Sequence, residues 1–179
     1  MRLFIAAPLP DSILNAVESG QSQFNLPGVR LVPASNLHLT ILFLGETPDA
    51  HLPGILDKVQ QIANDQTPFE LKFKEIAPGP KINSPRLVWV RFEENNAFEM
   101  LGRAIHIALP ETGKIHPDFI PHVTIARIKK EKLNGANLPV INNAHFPDYL
   151  VQKIAVWQSV LGIPPPHYSI LAEFPLAQP

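Results

Sequence analysis

The chain has 179 residues, 45% of them hydrophobic and 17% charged, which is ample material for a packed core and excludes an intrinsically disordered protein. Fifteen basic residues against sixteen acidic ones give a net charge of −1, so the global positive field of a protein that coats long nucleic acid is absent, while a small or terminal phosphate ligand stays open. With zero cysteines, a thiol nucleophile, a cysteine zinc cluster, an iron–sulfur centre and disulfides are all excluded.

No stretch approaches the roughly 18 consecutive apolar residues of a spanning helix. The apolar start Leu3 to Leu9 carries Pro8, with Pro10 and Asp11 following, unlike a secretory signal, so a cytoplasmic protein is expected. Proline, 20 residues in all, punctuates many short segments. Arg2 to Ala7 reads as a buried strand, and Asp11-Ser12 starts a helix carrying Ile13, Leu14 and Val17, a unit closed by Pro27-Gly28. Leu37 to Leu44 reads as a strand, and Pro48 to Ala63 as a helix with Leu52, Ile55, Leu56, Val59 and Ile62 at three- and four-residue spacing. Alternation predicts a half-exposed strand over Phe69 to Ile76.

Arg86 to Phe92 follows as a strand, then a helix over Asn95 to Leu109 with Phe98, Leu101, Ile105 and Ala108 on one face, stopped by Pro110. Pro121 to Ile128 is a further strand, leading through Lys129, Lys130 and Lys132 to a turn at Asn134-Gly135. Tyr149 to Leu161 and Tyr168 to Phe174 read as two strands joined by Pro164-Pro165-Pro166. Mixed strands and helices with hairpin-like neighbours predict an α+β fold with antiparallel sheets. No linker divides the chain, so 1–179 reads as a single domain, with a monomer as the default.

One small pattern occurs twice. His38-Leu39-Thr40-Ile41 and His122-Val123-Thr124-Ile125 share the form His, apolar, Thr, apolar, and their histidines lie 122 − 38 = 84 residues apart, which suggests two halves of similar construction. Side chains two apart on a strand leave the same face, so His38 projects with Thr40 and His122 with Thr124. If the two strands meet about a pseudo-twofold axis, two imidazoles and two hydroxyls converge on one point. Such a group fits a phosphate. In-line displacement at phosphorus needs a base and an acid on opposite sides, and imidazole fills either role near neutrality. Threonine hydroxyls can donate to the non-bridging oxygens. The competing reading of each histidine is a packed or solvated strand residue, and of the pair a non-catalytic anion site.

At these residues the sequence resembles the two-histidine phosphoesterases, specifically the LigT-like RNA 2′,3′-cyclic phosphodiesterases, historically called 2′-5′ RNA ligases. The resemblance runs from Arg2-Leu3-Phe4-Ile5-Ala6 through Asn36 to Glu46, Pro85 to Val90 and Pro121 to Arg127 to Ser159, Tyr168 and Phe174-Pro175-Leu176. It implies a bilobal, pseudo-symmetric domain whose two antiparallel sheets line a central cleft, with helices on the outer faces. It also implies hydrolysis of an RNA 2′,3′-cyclic phosphate to a 2′-phosphate, with no cofactor and no metal, and possible weak 2′-5′ joining in reverse. The substrate would be an RNA or oligonucleotide with a cyclic phosphate end. Carried over, His38 is the general acid at the departing O3′, His122 the general base on water, and Thr40 and Thr124 hold phosphate oxygens.

Arg127 matches a family position that contacts phosphate or base, and Phe43 has the same offset from His38. Strand parity objects, because an offset of five is odd and in a regular strand turns both away from the cleft, unless the strand twists, bulges or ends after the threonine. Arg127 is thus a ligand contact or a structural residue, and Phe43 a base-stacking ring or plain core. The Gly162 to Tyr168 segment, with its three prolines, departs from the family's usual glycine before the tyrosine and leaves substrate size open.

Other patterns fail. His116-Pro117-Asp118 with His122 lacks a zinc spacing such as His-Glu-x-x-His. Gly113-Lys114 lacks the Ser/Thr and the upstream glycine of a phosphate loop. Lys129, Lys130 and Lys132 could guide an RNA tail or form a solvated turn. Two rivals remain to the main reading: a phosphodiesterase acting on another cyclic nucleotide or a 2′-5′ oligonucleotide, and a nucleotide- or RNA-end-binding module without turnover.

Overall fold

The structure is a computed structural model, described here for residues 1–109, 119–129, 138–142, 145–162 and 166–178. The motifs at Gly113-Lys114 and His116 to Asp118, Pro110, Lys130, Lys132, the Asn134-Gly135 turn and Pro164-Pro165 lie outside these residues. The strands are β1 (Arg2–Pro8), β2 (Val29–Leu31), β3 (His38–Glu46), β4 (Phe69–Leu71), β5 (Phe73–Gly79), β6 (Leu87–Phe92), β7 (His122–Ile128), β8 (Tyr149–Val151), β9 (Lys153–Val160) and β10 (His167–Pro175). Among the described residues three α-helices accompany them: α1 (Asp11–Gln21), α2 (Leu52–Asp65) and α3 (Asn96–Ala108).

The chain is α+β, and its recorded strand pairings are antiparallel. The expected two sheets meet as one path, β10-β9-β1-β3-β7-β6-β5, with β2 paired to β7. The join is narrow, since β3 and β7 share one register pair, Leu39 with Val123. A separate two-stranded sheet pairs β4 with β8.

That small sheet corrects two predicted strands. Phe69 to Ile76 breaks at Lys72 and Tyr149 to Leu161 at Gln152, and in each case the first piece leaves for the small sheet while the second joins the main one. Alternation reports an exposed and a buried face but is silent about a change of partner. The three-residue β2 is too short to show a period and was not predicted.

β1 shows how the sheet is buried. Leu3 to Ala7 are all buried. Leu3, Ile5 and Ala7 enter the main core, while Phe4 and Ala6 face the other way and form a small cluster with Ala155 and Trp157. The helices carry apolar stripes at helical spacing, Ile55, Val59 and Ala63 on α2 and Phe98, Leu101 and Ile105 on α3. α3 starts where Asn95 Oδ1 accepts from the Phe98 amide at 3.0 Å.

Two bulges decide what the opposite face displays. Between Ile5–Leu42 and Ala6–Thr40, β1 advances one residue and β3 two, so Ile41 is extra. Between Val88–Ala126 and Trp89–Thr124, β6 advances one and β7 two, so Ile125 is extra. Each bulge stands three residues after its histidine, and each buries two successive apolar side chains, Ile41-Leu42 and Ile125-Ala126. Beyond it the parity of the strand is reversed.

A bulge removes a carbonyl from its ladder, and the buried side chain of Gln21 at the end of α1 repairs this one. Its Nε2 donates to Ile125 O and to Val32 O, both at 2.8 Å, and the Val32 amide also donates to Ile125 O. Gln21 thereby ties α1, the bulge in β7 and the segment after β2. In Gln21→Met the Ile125 carbonyl keeps the Val32 amide while Val32 O loses its Gln21 donor, and the change should cost about 1–3 kcal/mol, the range for a buried polar group left unsatisfied. Urea unfolding measures this, and unchanged stability would contradict the assignment.

Candidate active site

His38 and His122 each open a strand, and each is held in the same way. His38 Nδ1–H donates to Asn36 O at 2.7 Å, and His122 Nδ1–H donates to Ile120 O at 2.8 Å. In both cases the acceptor lies two residues earlier in the chain. A carbonyl only accepts, so Nδ1 carries the proton and Nε2 is the basic nitrogen of the neutral ring. The Leu39–Val123 pair fixes how the motifs face one another: the antiparallel register sets Thr124 on the β7 position opposite His38, and Thr40 opposite His122.

The cleft has a volume of about 390 Å³, and its lining includes His38, Thr40, Phe43, His122, Thr124 and Arg127. All six sequence-derived candidates therefore border one space. Phe43 and Arg127 overturn the regular-strand expectation, which turned them away from the cleft. The bulges at Ile41 and Ile125 restore them to the face of the histidines, and Phe43 is 58% exposed rather than core. Tyr168 and Ser159 also line the cleft.

Around the two imidazoles the environments differ. The His38 ring sits among aromatics, its centroid 4.7 Å from Phe4 and 5.5 Å from both Trp157 and Tyr168. His122 meets the edge of Trp89 at 4.9 Å. Gly79 makes room for that indole, because a Cβ there would stand 2.5 Å from the Trp89 ring. Next in register to His122 is Arg91, which stacks over Trp89 and donates to Glu75 at 2.7 Å.

Burial among these rings pushes the His38 imidazole down to about 4 from 6.5. The hydrogen bond to Asn36 O opposes the shift, and the charges of His122 and Arg127 add to it. His38 is therefore neutral at neutral pH. The same electrostatics show that both halves of the sheet act on one imidazole.

Sequence reasoning missed Arg2, Arg30 and Asn36, all of which line the cleft. Asn36 is buried, donating from Nδ2 to Pro166 O at 2.7 Å and accepting from the Tyr168 amide at 3.3 Å, so it pins the start of β10 beside the carbonyl that holds His38. A polar residue two before the motif histidine was the available signal. Among the described residues, no three His, Cys, Asp or Glu side chains come together in a way that could hold a metal ion. No helix among them is long and apolar enough to cross a membrane.

Residues 9–160 match the model of one family, the 2′-5′ RNA ligase superfamily. The chain belongs to this superfamily. It is 31% identical to an RNA 2′,3′-cyclic phosphodiesterase of Methanocaldococcus jannaschii, over 97% of this chain and 100% of the relative. It is likewise 31% identical to one of Thermus thermophilus, over 98% of this chain and 90% of the relative. A crystal structure of a Thermus thermophilus protein superposes with a TM-score of 0.88 at 28% identity, covering 98% of each chain. Escherichia coli LigT without ligand has the same fold, with a TM-score of 0.80 at 24% identity over 99% of this chain and 98% of LigT.

The depressed His38 value makes stability depend on pH. Between about 4 and 6.5 the unfolded chain binds a proton at this site that the folded chain does not, so stability falls as pH drops through that window. Urea unfolding between pH 7 and pH 4 should show a smaller loss for His38→Gln than for the wild type. Equal losses would contradict a neutral, buried His38.

Proposed function

We propose that this protein hydrolyses RNA 2′,3′-cyclic phosphate ends to 2′-phosphates, using its two histidines as acid and base. One observation carries the reading: both His-x-Thr motifs border a single cleft, each imidazole locked through Nδ1 by the carbonyl two residues earlier. The relatives with this activity in their names align along nearly the whole chain, which supports the same substrate class here.

In the proposed reaction the cyclic phosphate lies between the imidazoles. His122 Nε2 takes a proton from water as its oxygen attacks phosphorus, and His38 Nε2 gives a proton to O3′ as the P–O3′ bond breaks. The product has a 2′-phosphate and a free 3′-hydroxyl. Thr40 and Thr124 donate to the non-bridging oxygens, and the charge of Arg127, further along β7, favours entry of an anion into the cleft. Because burial keeps His38 neutral at neutral pH, the bound phosphate must supply the negative charge that raises its pKa and lets it hold the proton it will donate.

That same neutrality favours a second reading with the roles exchanged, His38 as base and His122 as acid. A substrate with sulfur in place of O3′ separates the two, since a thiolate departs without protonation. His38→Ala and His122→Ala should each lower kcat on a 2′,3′-cyclic nucleotide by roughly 10²- to 10⁴-fold, the usual worth of an acid or base, with the fold retained by circular dichroism and the wild type active in EDTA. Sulfur should rescue His38→Ala alone. Rescue of His122→Ala alone would establish the exchanged roles, full activity in either variant would remove that histidine from the mechanism, and binding without turnover by the wild type would leave only a sensor of RNA ends.

A further inference from the structure

Arg30 on β2 stands directly opposite Arg127 on β7, and both line the cleft. Like charges on opposed strand positions repel and destabilise the pair. Among the described residues the arginine ion pairs are those of Arg91 with Glu75 and Arg103 with Glu99, so neither Arg30 nor Arg127 has an acidic partner there. Arg2, the third arginine of the cleft, differs, because its neighbour across β3 is Glu46. Among the described residues, the Arg30–Arg127 pair sets two positive charges of the cleft directly opposite one another without an acidic residue paired to either.

One anion does not satisfy this arrangement. The reacting phosphate is assigned to the two His-x-Thr motifs, and Arg127 lies three residues beyond Thr124, roughly 7–10 Å along the strand from the usual rise and the bulge. Arg30 stands one strand further from β6, where the chain turns into the Leu31 to Pro33 wall of the cleft. The other half carries no such charge at the equivalent position, which belongs to Phe43, with its ring 5.8 Å from Phe4. The cleft thus has an aromatic end suited to a base and a cationic end suited to backbone phosphate.

We propose that Arg30, with Arg127, binds the phosphodiester immediately 5′ of the terminal nucleoside, making the preferred substrate an oligoribonucleotide end rather than a free 2′,3′-cyclic mononucleotide. This rests on the reading that the cleft hydrolyses RNA 2′,3′-cyclic phosphates. The mononucleotide fills the two His-x-Thr motifs and leaves the Arg30–Arg127 repulsion unrelieved. A chain with one more nucleotide brings the charge that relieves it.

The test compares kcat/KM for three substrates: adenosine 2′,3′-cyclic phosphate, the dinucleotide ApA ending in the same cyclic phosphate, and that dinucleotide with a neutral methylphosphonate linkage. In the wild type the charged dinucleotide should exceed the mononucleotide by roughly ten- to a hundredfold, as expected for one charge-assisted hydrogen bond. The methylphosphonate should lose that advantage. Arg30→Gln should abolish it, and Arg30→Lys should keep part of it. Equal kcat/KM for the charged and neutral dinucleotides, or equal losses on mono- and dinucleotide in Arg30→Gln, would overturn the proposal while leaving the hydrolase reading intact. No turnover of any of the three by the wild type would overturn that reading, and this inference with it.

Discussion

The antiparallel contact of Leu39 with Val123 is where the two halves of the main sheet meet, and it is a single register pair. A longer ladder would close the sheet over the cleft. Without any pairing, the histidines that immediately precede Leu39 and Val123 would have no fixed relation. On one side of this contact β7 turns to β2 for its partner, beginning at Ala126, and the gap so created is walled by Arg30 to Pro33 and by Asn36. Both motifs therefore owe their approach to main-chain geometry, which is stiffer than any contact between long side chains.

Locking Nδ1 to the main chain has a chemical consequence. It fixes the tautomer and the ring orientation together, so the basic Nε2 of each ring is held in one direction. The two imidazoles are nonetheless not equivalent. His38 lies against Phe4, Trp157 and Tyr168, whereas Trp89 and the Arg91–Glu75 pair stand next to His122. A repeated scaffold in different surroundings leaves His38 with a pKa depressed by burial, and in the proposed reaction it is the arriving anion that raises it. This is the condition under which two groups of the same kind divide acid and base work.

Much of the site was legible because its unit is local. A His-x-Thr on a strand puts both side chains on one face whatever the rest of the chain does, and two copies 84 residues apart carry the suggestion of convergence. Phe43 and Arg127 were ambiguous because parity depends on the bulges, although the adjacent apolar pairs Ile41-Leu42 and Ile125-Ala126 are the trace a bulge leaves in a strand. Gln21 was not legible at all, since its partners are carbonyls of residues 11 and 104 positions away. Arg30 escaped because a three-residue strand has no period, and what matters about it, the like charge across the ladder, exists only in the pairing.

A crystal structure of the protein with a nucleoside 2′,3′-cyclic vanadate, a five-coordinate mimic of the displacement, tests most directly whether the two imidazoles share one phosphate. The vanadium should sit between the Nε2 atoms of His38 and His122, each within hydrogen-bond distance of an apical oxygen, with Thr40 and Thr124 on the equatorial oxygens. A vanadate bound to one motif alone, or seated at the arginines with both imidazoles out of reach, would contradict it.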